Sequence, residues 1–150
     1  MEKLIAKLND LIALDIDAVN AYEAAITRMT IPALQEMLRE FQGDHERHIQ
    51  DLTECVTRFG GVPRKTADVK GFFLKGLTAV TSMMGDEAAL QAMRGNETLT
   101  NRTYKAALKV NWSEDVRALI EKNYADEQRH LAFIAESIRN RSWDQTASHP

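Results

Sequence analysis

The chain has 150 residues, 44% hydrophobic and 27% charged, with a formal net charge of −3. That describes one ordinary globular domain with enough chain for a proper core, and the acidic balance without a basic stripe excludes nucleic acid as an expected partner. No run of 18 apolar residues is present to span a membrane, MEKLIAKLND lacks the apolar run of a signal peptide, and the single cysteine, Cys55, makes no internal disulfide, so the cytoplasm is the expected location.

From Leu4 to Met29, apolar residues recur at three- and four-residue spacing through Leu8, Leu11, Ala18, Tyr22 and Ile26, one face of a helix. Met29-Thr30-Ile31-Pro32 ends it; Thr30 is expected to cap the next helix, with Pro32 in its first turn. That second helix carries Leu34, Leu38, Phe41, Leu52, Cys55 and Phe59 on one face and stops at Gly60-Gly61-Val62-Pro63. A third runs from about Asp86 to Val110. Asn111-Trp112-Ser113 turns the chain, and Ser113 with Glu114 and Asp115 starts a fourth helix that continues to about Arg141. Residues 1–141 form the expected domain, and 142–150 are expected to be a disordered tail.

Residues 61–85 are too long for a turn, and their middle, VKGFFLKGLTAVTSMM, suits a short packed helix. The expected fold is therefore all-α: two antiparallel helical hairpins joined by a long crossover containing a short helix, a four-helix bundle. The crossover's Phe72, Phe73, Leu74, Leu77 and Val80 exceed what one side of a short helix needs, so a homodimer is expected.

The apolar faces have gaps. Asp15 interrupts the first helix, and His45 and His48 the second. The third reads Leu90, Met93, Glu97, Asn101, Tyr104, Leu108; the fourth reads Val116, Ile120, Glu127, His130, Ile134, Ile138. Six ionisable side chains thus take core positions, where an unpaired charge costs several kcal/mol. Asp15 and His45 each lie about 15 residues from the first turn, and Glu97 and Glu127 about 15 from the second. At the helical rise all four sit roughly 22 Å from their turns, in one layer. His48 and His130 follow one turn beyond.

An offset of 82 residues maps Asp15 onto Glu97, Tyr22 onto Tyr104, His45 onto Glu127 and His48 onto His130, and also Asp44 onto Asp126 and Arg47 onto Arg129. The pattern reads as two copies of one hairpin about a pseudo-twofold axis. The Asp44/Arg47 and Asp126/Arg129 pairs are expected to be solvated i, i+3 pairs at the bundle edge. Asp17 and Glu23, opposite Leu99 and Lys105 in the repeat, are expected to be exposed.

A carboxylate with Tyr seven residues on, then Glu-x-x-His about thirty residues later, resembles the ferritin-like carboxylate di-metal proteins. Glu97, Tyr104, Glu127 and His130 follow that pattern; Asp15 stands for its Glu, and His45 for the Glu of its Glu-x-x-His. LNDLI, RFGG-x-P, GDEAAL, RGNE and DVRALIEKNY further resemble the bacterial ferritin-like family catalogued as domain of unknown function 2383. The resemblance implies a ferritin-like bundle with a di-metal centre.

Imidazole with carboxylate suits iron best here, with manganese or zinc as the other ions that fit. Asp15 and His48 would hold one ion, Glu97 and His130 the other, and Glu127 would bridge. His45 is expected as a terminal ligand or neighbour, leaving two divalent ions a residual charge near +1. The Glu97/Glu127/His130 half is expected to bind more tightly. Tyr22 and Tyr104 are placed to orient ligands from behind. Affinity is expected to fall as pH drops through the imidazole range near 6.5. Redox chemistry on iron with dioxygen or peroxide is the expected activity. No Cys-x-x-Cys of the rubredoxin kind is present to deliver electrons, so a self-contained peroxidase of the rubrerythrin kind is not expected. The alternative is a catalytically silent bundle whose polar layer is a hydrogen-bonded network serving a structural, interaction or stress-related role.

Overall fold

A computed structural model describes residues 1–67 and 85–144. They form four helices, α1 (Glu2–Arg28), α2 (Pro32–Arg58), α3 (Asp86–Ala107) and α4 (Glu114–Arg139), with no strand among the described residues. The expected short helix of the crossover, and the apolar residues behind the expected dimer, lie outside the described residues. None of the described helices is long and apolar enough to cross a membrane.

The turns are set by local chemistry. Met29 leaves α1 in extended backbone, and Pro32 sits in the first turn of α2. Thr30 does not cap α2, whose N-cap position is Ile31. Its backbone N–H and hydroxyl instead donate to Asp86 at the start of α3, at 2.7 and 2.5 Å. Gln35 reaches back to the carbonyls of Ile26 and Met29 at 3.0 and 2.8 Å, satisfying the open end of α1. At the far end of α2, Gly60 takes φ +81°, the left-handed geometry that only glycine adopts freely. Gly61 is needed for a different reason: a Cβ there would meet Ile5 Cγ2 of α1 at 2.6 Å.

Pairings across the bundle fix the topology. Tyr22 faces Glu97 while Tyr104 faces Asp15, so α1 and α3 run antiparallel. Thr30 meets Asp86 at one end, and Arg58 meets Asp115 at the other, at 2.9 Å. Thus α2 ends and α3 begins at opposite ends of the bundle, the connection that needs one crossover.

The core is split. One apolar cluster, including Ile26, Leu34, Leu38, Phe41, Leu90 and Met93, fills the end near the first turn. Another, including Leu8, Leu11, Leu52, Val116 and Ile120, fills the opposite end. The polar layer lies between them. Beyond α4, Trp143 packs against the first cluster.

Candidate metal centre

The layer assembles as the spacing expects: Asp15 from α1, His45 and His48 from α2, Glu97 from α3, and Glu127 and His130 from α4 are each 0% exposed. Their donor atoms converge into two sets, each able to hold a metal ion: Asp15, His45, His48 and Glu127, and His45, Glu97, Glu127 and His130. Glu127 is shared, as expected. His45 is shared too, which was not expected. Its Nδ1 lies 2.7 Å from Asp15 Oδ1, and its Nε2 lies 3.2 Å from Glu97 Oε1.

Charges in the layer balance one another. Burial alone would raise the Asp15 and Glu97 carboxyls, but the facing histidines outweigh it and hold both below the usual carboxylate range. Burial opposes protonation of the imidazoles, and the carboxylates overcome it. Asp15 and Glu127 push His48 up to about 10, Glu127 and Glu97 push His130 up to about 9, and His45 rises well above its ordinary value beside Glu127, Asp15 and Glu97. Glu127 is raised by burial, and the charge of His45 counters that in part.

Two atoms of the layer face opposite charges without making a hydrogen bond. Glu127 Oε1 and His130 Nδ1 are buried and have no hydrogen-bond partner. Both point into the layer: Glu127 Oε1 is 3.4 Å from His45 Nδ1 and 3.5 Å from His48 Nδ1, and His130 Nδ1 is 3.4 Å from Glu97 Oε1. Buried polar atoms without partners are rare and need a reason. A cation between the donors would supply one, so the residues fit a metal.

A surrounding shell orients the layer, and it crosses between the repeats. The Tyr22 hydroxyl donates to Glu97, and the Tyr104 hydroxyl donates to Asp15 Oδ2 at 2.5 Å. Burial, together with the neighbouring carboxylates, raises both phenols well above 10, so they remain donors. His130 Nε2 pairs with Asp44 Oδ2 at 2.7 Å, and His48 Nε2 with Asp126 Oδ2 at 2.9 Å. Arg129 donates to Asp44 at 2.6 Å, and Arg47 donates to Asp126. The expected i, i+3 pairs form, Arg47 donating to Asp44 at 3.1 Å and Arg129 to Asp126 at 3.4 Å, but they are not solvated pairs at the bundle edge: Asp44 is buried, Asp126 is half-buried, and each fixes a histidine of the other hairpin. A carboxylate on the outer nitrogen leaves the inner nitrogen's lone pair free for a metal.

Other residues depart from the sequence reading. Thr100 is buried and donates to Glu97 Oε2 at 2.9 Å and to Glu127 Oε2 at 3.0 Å as alternative partners. Asn101, expected on the core face, is half-buried and donates instead to the Glu97 and Glu127 carbonyls. Asp17, expected to be exposed, is buried, which pushes its carboxyl up to about 7. Glu23 is exposed, as expected.

Residues 3–110 match the family model described as Domain of unknown function (DUF2383). The chain belongs to this family. The match takes in α1, α2 and α3, and with them Asp15, His45, His48 and Glu97; Glu127 and His130 lie on α4, beyond it. This DUF2383 chain is similar in fold to the crystal structure of a conserved hypothetical protein, rv2844, from Mycobacterium tuberculosis. The TM-score is 0.73 at 11% identity, over 87% of this chain and 93% of that one. At that identity the likeness concerns the fold alone. None of the curated proteins matches the sequence.

Proposed function

We propose that the buried layer binds two transition-metal ions, held by Asp15, His45, His48, Glu97, Glu127 and His130. Iron is the proposed occupant, and manganese and zinc also suit the donors. The observation that carries this is the pair of inward-facing atoms, Glu127 Oε1 and His130 Nδ1, left without hydrogen bonds. Nitrogen and carboxylate donors without thiolate favour these metals. Four protein donors around each ion leave iron open positions for a small oxidant, whereas they complete a tetrahedral zinc site.

Bound iron would supply one-electron chemistry toward dioxygen or peroxide, and the proposed activity is ferrous oxidation. The chain's own residues keep the ligands oriented: Tyr22 and Tyr104 hold the outer carboxylates, and Asp44 and Asp126 hold the histidine tautomers. Elemental analysis of protein purified without chelator or affinity tag tests the occupant, and anomalous diffraction after soaking in Fe(II) or Mn(II) tests the place. Ferrous oxidation faster in wild type than in Glu127→Ala supports catalysis; equal rates remove it.

The balance of three carboxylates against three protonated imidazoles favours a second reading, a silent bundle with a self-neutralising polar layer. Protein that takes up neither iron, manganese nor zinc would put that reading first.

A further inference from the structure

We propose that His45 bridges the two metal ions as an imidazolate, with Nδ1 on the Asp15/His48 ion and Nε2 on the Glu97/His130 ion. The inference rests on the metal reading above and specifies the bridge within it. Glu127, whose Oε1 faces the first set and whose Oε2 faces the second, is then a ligand beside that bridge.

Geometry is the first support. An ion holding four donors tetrahedrally at about 2.0–2.1 Å sets those donors about 3.3–3.4 Å apart. In the first set, His45 Nδ1 and His48 Nδ1 lie 2.7 and 3.2 Å from Asp15 Oδ1, and 3.4 and 3.5 Å from Glu127 Oε1. In the second set, Glu97 Oε1 lies 3.2 Å from His45 Nε2 and 3.4 Å from His130 Nδ1, and His130 Nδ1 lies 3.7 Å from Glu127 Oε2. These distances, 2.7 to 3.7 Å, bracket the edges of such a sphere, and the two nitrogens of the His45 ring face different carboxylates, Nδ1 facing Asp15 and Nε2 facing Glu97. If His45 were a terminal ligand through Nδ1, its Nε2–H would be spent on Glu97, and the second ion would keep three protein donors.

Charge is the second support, and it is independent of the distances. With three neutral imidazoles, three carboxylates and two divalent ions leave one positive charge in a layer whose six side chains are 0% exposed. Such a charge is expensive to bury. The nearby acids do not cancel it, because Asp44 and Asp126 already pair with Arg129 and Arg47. Deprotonated His45 removes it. The first ion would displace one ring proton of the protonated His45 and acidify the opposite N–H; the second ion would take the place of that proton, and both protons would leave to solvent. A glutamate at position 45 would also bridge, but its charge would sit on two oxygens of one short group. The imidazole reaches further between the ions.

The test is nuclear magnetic resonance of the full chain, labelled with ¹⁵N-histidine, titrated with zinc alone. The chain's fourth histidine is removed by His149→Gln to simplify the spectrum. The expected result is two zinc ions per chain and two surviving ring N–H signals, from His48 and His130, protected by Asp126 and Asp44. His45 should show no ring N–H, and both its nitrogens should be shifted by metal. His45→Gln, checked for folding by circular dichroism, should weaken zinc binding in both sets at once. Two ions with three ring N–H signals would make His45 a terminal ligand and overturn the bridge while leaving the metal centre. One ion per chain, with His45 keeping a proton, would overturn it in the same way. Failure to take up zinc, iron or manganese would remove the metal centre itself.

Discussion

Asp44 accepts a hydrogen bond at 2.7 Å from Nε2 of His130, a histidine of the other repeat. The two pentads D-x-x-R-H, at 44–48 and 126–130, therefore interlock: each aspartate orients its neighbour's histidine rather than its own. Asp44→Asn should weaken metal binding in the Glu97/His130 set by about 10- to 100-fold, the usual cost of losing such a partner. Asp126→Asn should do the same to the Asp15/His48 set. Competition against a chromogenic chelator, with the two binding steps resolved, checks which half responds.

Metal binding should depend on pH at higher values than free imidazole suggests. His48 and His130 rise from 6.5 to about 10 and about 9, so both carry protons at neutral pH that an ion must displace. Affinity should keep rising with pH from 7 to about 9 instead of levelling off above 6.5, and calorimetry in buffers of different ionisation enthalpy should record proton release. The metal-free protein should behave oppositely. Its raised histidine pKa values give stability that is full below 6.5 and is lost as pH rises through 9 to 10. Thermal unfolding with and without metal across pH 6–10 separates the two trends.

Tyr104→Phe removes the hydroxyl that donates to Asp15 Oδ2 at 2.5 Å inside the layer. A buried carboxylate oxygen losing its donor should cost about 1–3 kcal/mol. Denaturant unfolding of the metal-free protein measures it. An unchanged midpoint would mean that the hydroxyl contributes nothing to holding Asp15.

Asp17 gives a second pH signature with a simple sign. Burial raises its folded pKa from 3.8 to about 7, so its protonated form suits the fold and its contribution is lost as pH rises through 7. Asp17→Asn should therefore stabilise the protein at pH 8 relative to wild type, and change little at pH 4. Equal effects at both values would contradict this.

The bundle was legible in the sequence because three- and four-residue spacing is a direct imprint of helical geometry, and the layer was legible because six ionisable groups interrupted that spacing at one depth. Orientation was harder. An Asp and an Arg three residues apart look the same whether they face water or a neighbouring helix, so Asp44 and Asp126 read as surface. The usable signal was their repetition in register with Arg47, Arg129 and both histidines. Thr100 was missed because, from Glu97, positions three and four residues on both border the face, and the four-residue step led to Asn101. Asp17 was missed because α1 buries a wider arc than α3, including Ala13 and Asp17, while Leu99 is only half-buried. No sequence pattern states which way an imidazole ring turns, so the double-facing position of His45 belongs to the folded structure alone.

The departure of position 45 from the repeat also bears on how the hairpins choose each other. Among the six buried groups, the first hairpin carries one carboxylate and two imidazoles, and the second carries two carboxylates and one imidazole. With the imidazoles protonated, the first has a surplus positive charge and the second a surplus negative one. Two copies of either hairpin, pairing through these faces, would bury like charges against each other; first with second buries none. Two nearly symmetric halves of one chain would otherwise have little to tell self from partner. A single histidine in place of a glutamate makes their pairing selective, so an exchange of hairpins between chains would still join a first hairpin to a second.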